Sequence, residues 1–174
     1  WFSSLPGPTW PNRFFVHGAS SSGEDDSPSK TQMGVWETPG LGFVYPNGSI
    51  YDAMDAHTPV PVQWRLYNDN NGPLIGSVPQ VSALKNITLC TSNDFYPVSA
   101  SPCSPISGYA GFAADLQSPY PYRYTFIEPN YGDSSNDTYE GGSSQHPMDG
   151  VWGGENLIKN TYEAIRNSPL WASS

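Results

Sequence analysis

Charge is scarce in this chain of 174 residues: Asp, Glu, Lys and Arg together make up 13% of it, about half the share usual in globular proteins. Coiled coils and helical bundles need charged outer faces and few helix breakers, so this scarcity and the 18 prolines exclude both. Basic residues are the scarcest of all, seven against 16 acidic ones, for a net charge of -9. A chain of that sign repels phosphate backbones and anionic bilayers, and nucleic acid is not an expected partner. No run approaches the ~20 apolar residues of a transmembrane segment, and Trp1-Phe2-Ser3-Ser4-Leu5-Pro6 has neither a basic region nor an apolar stretch. No internal repeat is present either, which sets aside solenoids and propellers.

What the chain does have is rings and loops. Aromatic residues reach 14%, with six Trp and 11 Tyr, and 17 glycines accompany the prolines. A hydrophobic share of 37% is enough for a core, and the length favours a single domain over residues 1–174. Cysteine is nearly absent. Cys90 and Cys103, with Pro97 and Pro102 between them, suit one loop-closing disulfide better than a metal knuckle, which wants CxxC spacing. Asn47-Gly48-Ser49, Asn86-Ile87-Thr88 and Asn136-Asp137-Thr138 fit the glycosylation acceptor pattern. With the disulfide, these tilt the reading toward a secreted, extracellular glycoprotein.

The local patterns alternate between strand and helix. Arg13-Phe14-Phe15-Val16-His17 reads as a short buried strand between Pro11 and Gly18. Ser49-Ile50-Tyr51-Asp52 is a capping box, with Asp for the usual Glu, that opens a helix through about Asp55. Val62–Tyr67 alternates as a strand, and Tyr122–Ile127 is a second strand stopped by Glu128-Pro129. Leu157, Ile158, Thr161, Tyr162 and Ile165 share one face of a final helix, with Glu155 and Lys159 spaced to pair on another. Pro169 ends that helix. The alternation predicts an α/β sheet sandwich. Residues 18–48 and 68–111 carry little regular signal, which is long for so small a domain and points to a part of a larger body.

Three sites carry residue types that do chemistry. Gly18-Ala19-Ser20-Ser21-Ser22-Gly23 follows the first strand, so Ser20 stands where open α/β sheets place ligands. The GxSxG elbow is absent, and a flexible Ser/Gly loop explains the same composition. His146-Pro147-Met148-Asp149 precedes the final helix; the imidazole can donate to a phosphoryl group, with Asp149 near enough to orient it or to cap the helix. A surface histidine beside a capping aspartate is the plain alternative. Glu128, at the end of its strand, suits catalysis, metal binding or the anchoring of a turn. His17 and His57 have weaker contexts; His17, in a strand, reads as a core residue or one that supports a site from behind, and Glu24-Asp25-Asp26 reads as a solvated loop.

Several segments occur together in a familiar order: Pro8-Thr9-Trp10-Pro11-Asn12-Arg13 with Ala19-Ser20 and Gly23, then Phe126-Ile127-Glu128-Pro129, then His146-Pro147, Gly154-Glu155 and Tyr162–Trp171. They resemble the phosphoesterase family that holds the bacterial and plant non-specific phospholipases C and the related acid phosphatases. Ser49–Asp52 and Trp64–Tyr67 match its intervening helix and strand, while residues 68–111 match nothing in it. The resemblance implies an alkaline-phosphatase-like α/β/α sandwich that cleaves phosphate esters, phospholipid head groups among them, through a hydroxyl nucleophile beside bound divalent metal. It implies that Ser20 is that nucleophile and shares the metal, and that His146 contacts the phosphoryl oxygens or assists the leaving group. Asn12, Arg13, Glu128 and Asp149 are then substrate or supporting residues. The family carries a Glu-Asn pair near its N-terminus and an Asp-Glu-His-Gly-Gly run soon after the helix that ends in Ser-Pro-x-Trp, which together supply most metal ligands; neither stands at its place in this sequence, so the resemblance further implies an internal portion of a phosphoesterase. Without those ligands Ser20 lacks its activating metal and hydrolysis is negligible. A secreted module that binds sugars or choline-like head groups through its aromatic rings is the second reading, and an inactive fragment the third.

Overall fold

The computed structural model describes residues 3–36, 43, 45–69, 112–117, 119–134 and 136–173. Cys90, Cys103 and Asn86, and with them the expected disulfide and one acceptor site, lie outside the described residues. The described residues through Trp64 form one compact unit and those from Arg65 onward form another.

The first unit opens with helix α1, Thr9–Gly18, where a strand over Arg13–His17 was expected. A run of five residues is too short to separate strand from helix by composition. Burial separates them: Pro11, Phe14 and His17 face inward at helical spacing, whereas Val16, which a strand would bury beside Phe14, is 57% exposed. Pro11 is tolerated because it falls in the first turn, whose amide hydrogens have no partner within the helix. Phe14 stacks on Phe43 with centroids 4.0 Å apart, and the edges of Trp10, Trp36 and Tyr45 close around it. Trp36 comes from α2, Lys30–Trp36. Helix α3, Ile50–Asp55, begins at the expected capping box: Ser49 and Asp52 satisfy each other's amides. It buries Tyr51, whose ring packs on Trp64.

The second unit is built on a two-stranded parallel sheet of β1, Trp64–Asn68, and β2, Tyr124–Glu128. Both strands were legible in the sequence, each starting two residues later than expected. Tyr67 on β1 forms a buried core with Phe112 of α4, Phe112–Asp115, and with Leu116. Leu157, Ala164 and Ile165 of α5, Trp152–Arg166, pack against this core, followed by Leu170 of the 3-10 helix Pro169–Ser173. The pairing expected between Glu155 and Lys159 is replaced: Lys159 reaches Glu163, one turn further on, at 3.9 Å. Helices with a small parallel sheet are compatible with the α/β expectation. No helix among the described residues is long and apolar enough to cross a membrane.

Candidate functional site

Ser20 follows α1 rather than a strand. Ala19 ends the helix in the left-handed region, at φ 54°, and donates its N–H to Phe15. Ser22 is left-handed as well, at φ 55°, and its N–H donates to Ser20 Oγ at 3.0 Å. The serine is thus half-buried in a turn between two left-handed residues that are not glycine, a costly backbone of the kind that gathers at functional sites. Ser22 Oγ is buried and has no hydrogen-bond partner among the described residues. The C-terminus of α1 presents the negative end of its dipole here, so compensating positive charge for a phosphoryl group must come from elsewhere.

Upstream, Asn12 closes the turn before α1: Nδ2 donates to the carbonyls of Leu5 and Pro8, and Oδ1 accepts from Leu5 N–H. Half-buried Arg13, on the same helix, places its charge near His17 and Tyr45. His17 is 1% exposed, with Nδ1 at 3.1 Å from the Tyr51 hydroxyl. It is a core residue, as expected, although of a helix. Burial, and then the Arg13 charge, push its pKa down from 6.5 to about 3. The unfolded chain therefore takes up a proton that the folded chain refuses, and stability falls as pH drops from 6.5 toward 3, by at most about 1.4 kcal/mol per pH unit. Burial pushes up the carboxyls of Asp69, just after β1, and of Asp115, at the end of α4, and these act in the opposite sense, so the imidazole must be isolated. In histidine ring NMR of the full-length protein, His17 is expected to remain neutral at about pH 5, and His17→Gln to flatten the acid loss of stability. His57 is exposed, with Nδ1 at 2.9 Å from the carbonyl of Val60.

In the second unit His146 is half-buried, its ring stacked on Tyr139 at 3.5 Å and 10°. Nδ1 accepts the N–H of Met148 at 3.4 Å, which leaves the proton of the neutral ring on Nε2 as a donor. Asp149 neither orients this ring nor caps α5. Its Oδ2 accepts from Gly142 N–H and its Oδ1 from Gly150 N–H, and the residue before α5 is Val151, with no side-chain cap. Asp149 therefore fastens the loop. Glu128, 3% exposed, ends β2, and its carbonyl accepts the N–H of Asp69 at 2.8 Å.

Asp69 and Ser143 were missed by the sequence reading. Asp69 follows β1 directly, and Ser143 Oγ donates to its Oδ2 at 2.6 Å, with both residues buried. The signal for Asp69 was its place at the carboxyl end of a strand, where parallel sheets put their ligands. Ser143 had none, being one serine in a Gly/Ser-rich loop. Tyr139, left-handed at φ 57°, was also unforeseen. Ser20 belongs to the first unit and His146 to the second, so each is defined here by its own surroundings. Among the described residues no three His, Cys, Asp or Glu side chains gather as a metal site.

The chain belongs to the phosphoesterase family, whose model matches residues 1–174. Among curated proteins it is 30% identical to non-specific phospholipase C6 of Arabidopsis thaliana over 98% of this chain and 27% of that protein. It is 27% identical to non-specific phospholipases C1 and C3 of the same plant, again over 98% of this chain, covering 26% and 27% of those proteins. The chain thus spans about a quarter of the length of these relatives. No solved structure matches it.

Proposed function

We propose that the full-length protein hydrolyses phosphate esters, phospholipid head groups or simpler phosphomonoesters, through a phosphoseryl intermediate on Ser20. The observation that carries this reading is the family match along the whole chain; the roles given to Ser20 and His146 are those that the motif resemblance implies. In the first step Ser20 Oγ bonds to phosphorus as the bond to the leaving alcohol breaks; water then cleaves the phosphoseryl ester and restores the hydroxyl. His146, whose Nδ1 is taken by the Met148 N–H, donates a hydrogen bond from Nε2 to a phosphoryl oxygen. A divalent cation belongs to the proposal. Ser20 would supply one oxygen to it and the remainder of the full-length chain the other ligands, and when bound it would offset phosphoryl charge. An α/β/α sandwich completed by that remainder and a secreted, glycosylated form with Cys90 and Cys103 joined are parts of the same reading. In support of the last, Asn47 and Asn136 are both exposed.

The test is turnover of a chromogenic phosphate ester and of phosphatidylcholine by the full-length protein. His146→Ala is expected to lower kcat about 10²- to 10³-fold, as loss of one donor to a developing charge does. Undiminished kcat would remove His146 from the reaction.

A further inference from the structure

The segment that carries His146 is anchored to the sheet by a buried carboxyl. Asp69 leaves the end of β1 with its N–H on Glu128 at the end of β2. Its Oδ2 accepts from Ser143 Oγ, and that hydroxyl in turn accepts the N–H of Asn130 at 2.9 Å. Ser143 N–H closes the loop on the Asn130 carbonyl at 2.7 Å. Ser143 therefore makes three hydrogen bonds to residues just beyond the strand ends, three positions before His146. On the other side of the imidazole, Asp149 ties back to Gly142, and the Tyr139 ring lies against its face.

Burying a carboxyl is expensive, and at Asp69 it pushes the acid above its ordinary value, with the Ser143 hydrogen bond pulling it back only in part. A loop that needed only to be covered would be held more cheaply by apolar packing. What the carboxyl adds is direction: a short hydrogen bond from a strand end fixes Ser143 and hence the path of the chain into His146. We infer that Asp69, acting through Ser143, is a positioning residue that sets where the His146 imidazole meets the phosphoryl group. The inference rests on the phosphoester reading above.

In the full-length protein, Asp69→Ala and Ser143→Ala are each expected to lower kcat about 10- to 100-fold with KM nearly unchanged. Asp69→Asn, whose Oδ1 accepts the same hydroxyl, recovers most of the loss. The double alanine variant is no slower than either single one, because both remove the same link. Ser143→Ala deletes one oxygen and keeps the test open if Asp69→Ala does not fold. Losses that multiply in the double variant, or an Asp69→Asn variant as slow as Asp69→Ala, overturn the inference. Amide hydrogen exchange across 139–149 gives a readout independent of turnover, expected to quicken in Asp69→Ala and not in Asp69→Asn. Unaltered exchange in Asp69→Ala overturns the clamp whatever the activity. A loosened loop in a protein whose wild type hydrolyses no phosphate ester overturns the phosphoester reading instead.

Discussion

Replacing Ser20 with alanine in the full-length protein is expected to reduce phosphate-ester turnover by at least about a thousandfold, since loss of a covalent nucleophile leaves only the binding and electrostatic parts of catalysis. The substitution removes little else. Ser20 is half-buried and its hydroxyl accepts one hydrogen bond, from Ser22 N–H. Losing such a bond costs about 1 kcal/mol, too little to unfold the first unit, so the circular dichroism spectrum stays unchanged. Ser20→Thr, which keeps a hydroxyl, is expected to retain measurable turnover. Full activity in Ser20→Ala would assign the attack to water or to another side chain.

The largest expected loss of stability is at Asp115, close to the junction of β1 and α4. Arg65, 4% exposed on β1, lies between the rings of Tyr67 and Tyr122 and donates to the Tyr122 hydroxyl. Asp115 supplies the negative charge, 3.7 Å from Arg65, and accepts the Tyr67 hydroxyl at 2.6 Å. Burial pushes this carboxyl above its ordinary range; the Tyr67 hydrogen bond and Arg65 pull it back only in part. The short hydrogen bond is therefore the stronger link and the ion pair the weaker. Asp115→Ala removes both, leaving a buried guanidinium without this counter-charge and a buried phenol without its acceptor, at a cost of about 3 kcal/mol or more. Asp115→Asn keeps an acceptor for Tyr67 and is expected to lose far less. The contrast is Lys159 with Glu163, a pair 3.9 Å apart with both side chains at least half exposed, whose removal is expected to change stability too little to measure. Amide exchange in β1 and α4 reads these differences locally, and equal losses in Asp115→Ala and Asp115→Asn would show the ion pair to be the dominant link.

What could be read in the sequence was what is decided within a few residues. The Ser49–Asp52 box, the two strands and α5 are set by capping chemistry and periodicity over short windows, and the structure has all four. Helix α1 was misread because a five-residue run centred on Phe14-Phe15-Val16 is too short to fix the period, and it is the burial of Phe14 and His17 with Val16 exposed that identifies the helix. That change moves Ser20 from the end of a strand to the C-terminal end of a helix, where the backbone dipole presents its negative end. Asp149 was nearest to His146 in sequence, yet its carboxylate holds Gly142 and Gly150. The carboxyl that ties the loop to the strand ends, Asp69, is 74 residues from its partner Ser143. Spacing could not reveal a link of that range; only the adjacency of two strand ends brings it about.

The central claim is that a phosphoryl group passes through Ser20. Its most direct measurement is rapid acid quench of the full-length protein turning over a labelled phosphate ester, followed by peptide mass spectrometry. A phosphoryl group on Ser20, absent without substrate and lost on the timescale of turnover, is the expected result. Turnover with no phosphoryl group on that residue, or with one on another side chain, would contradict it.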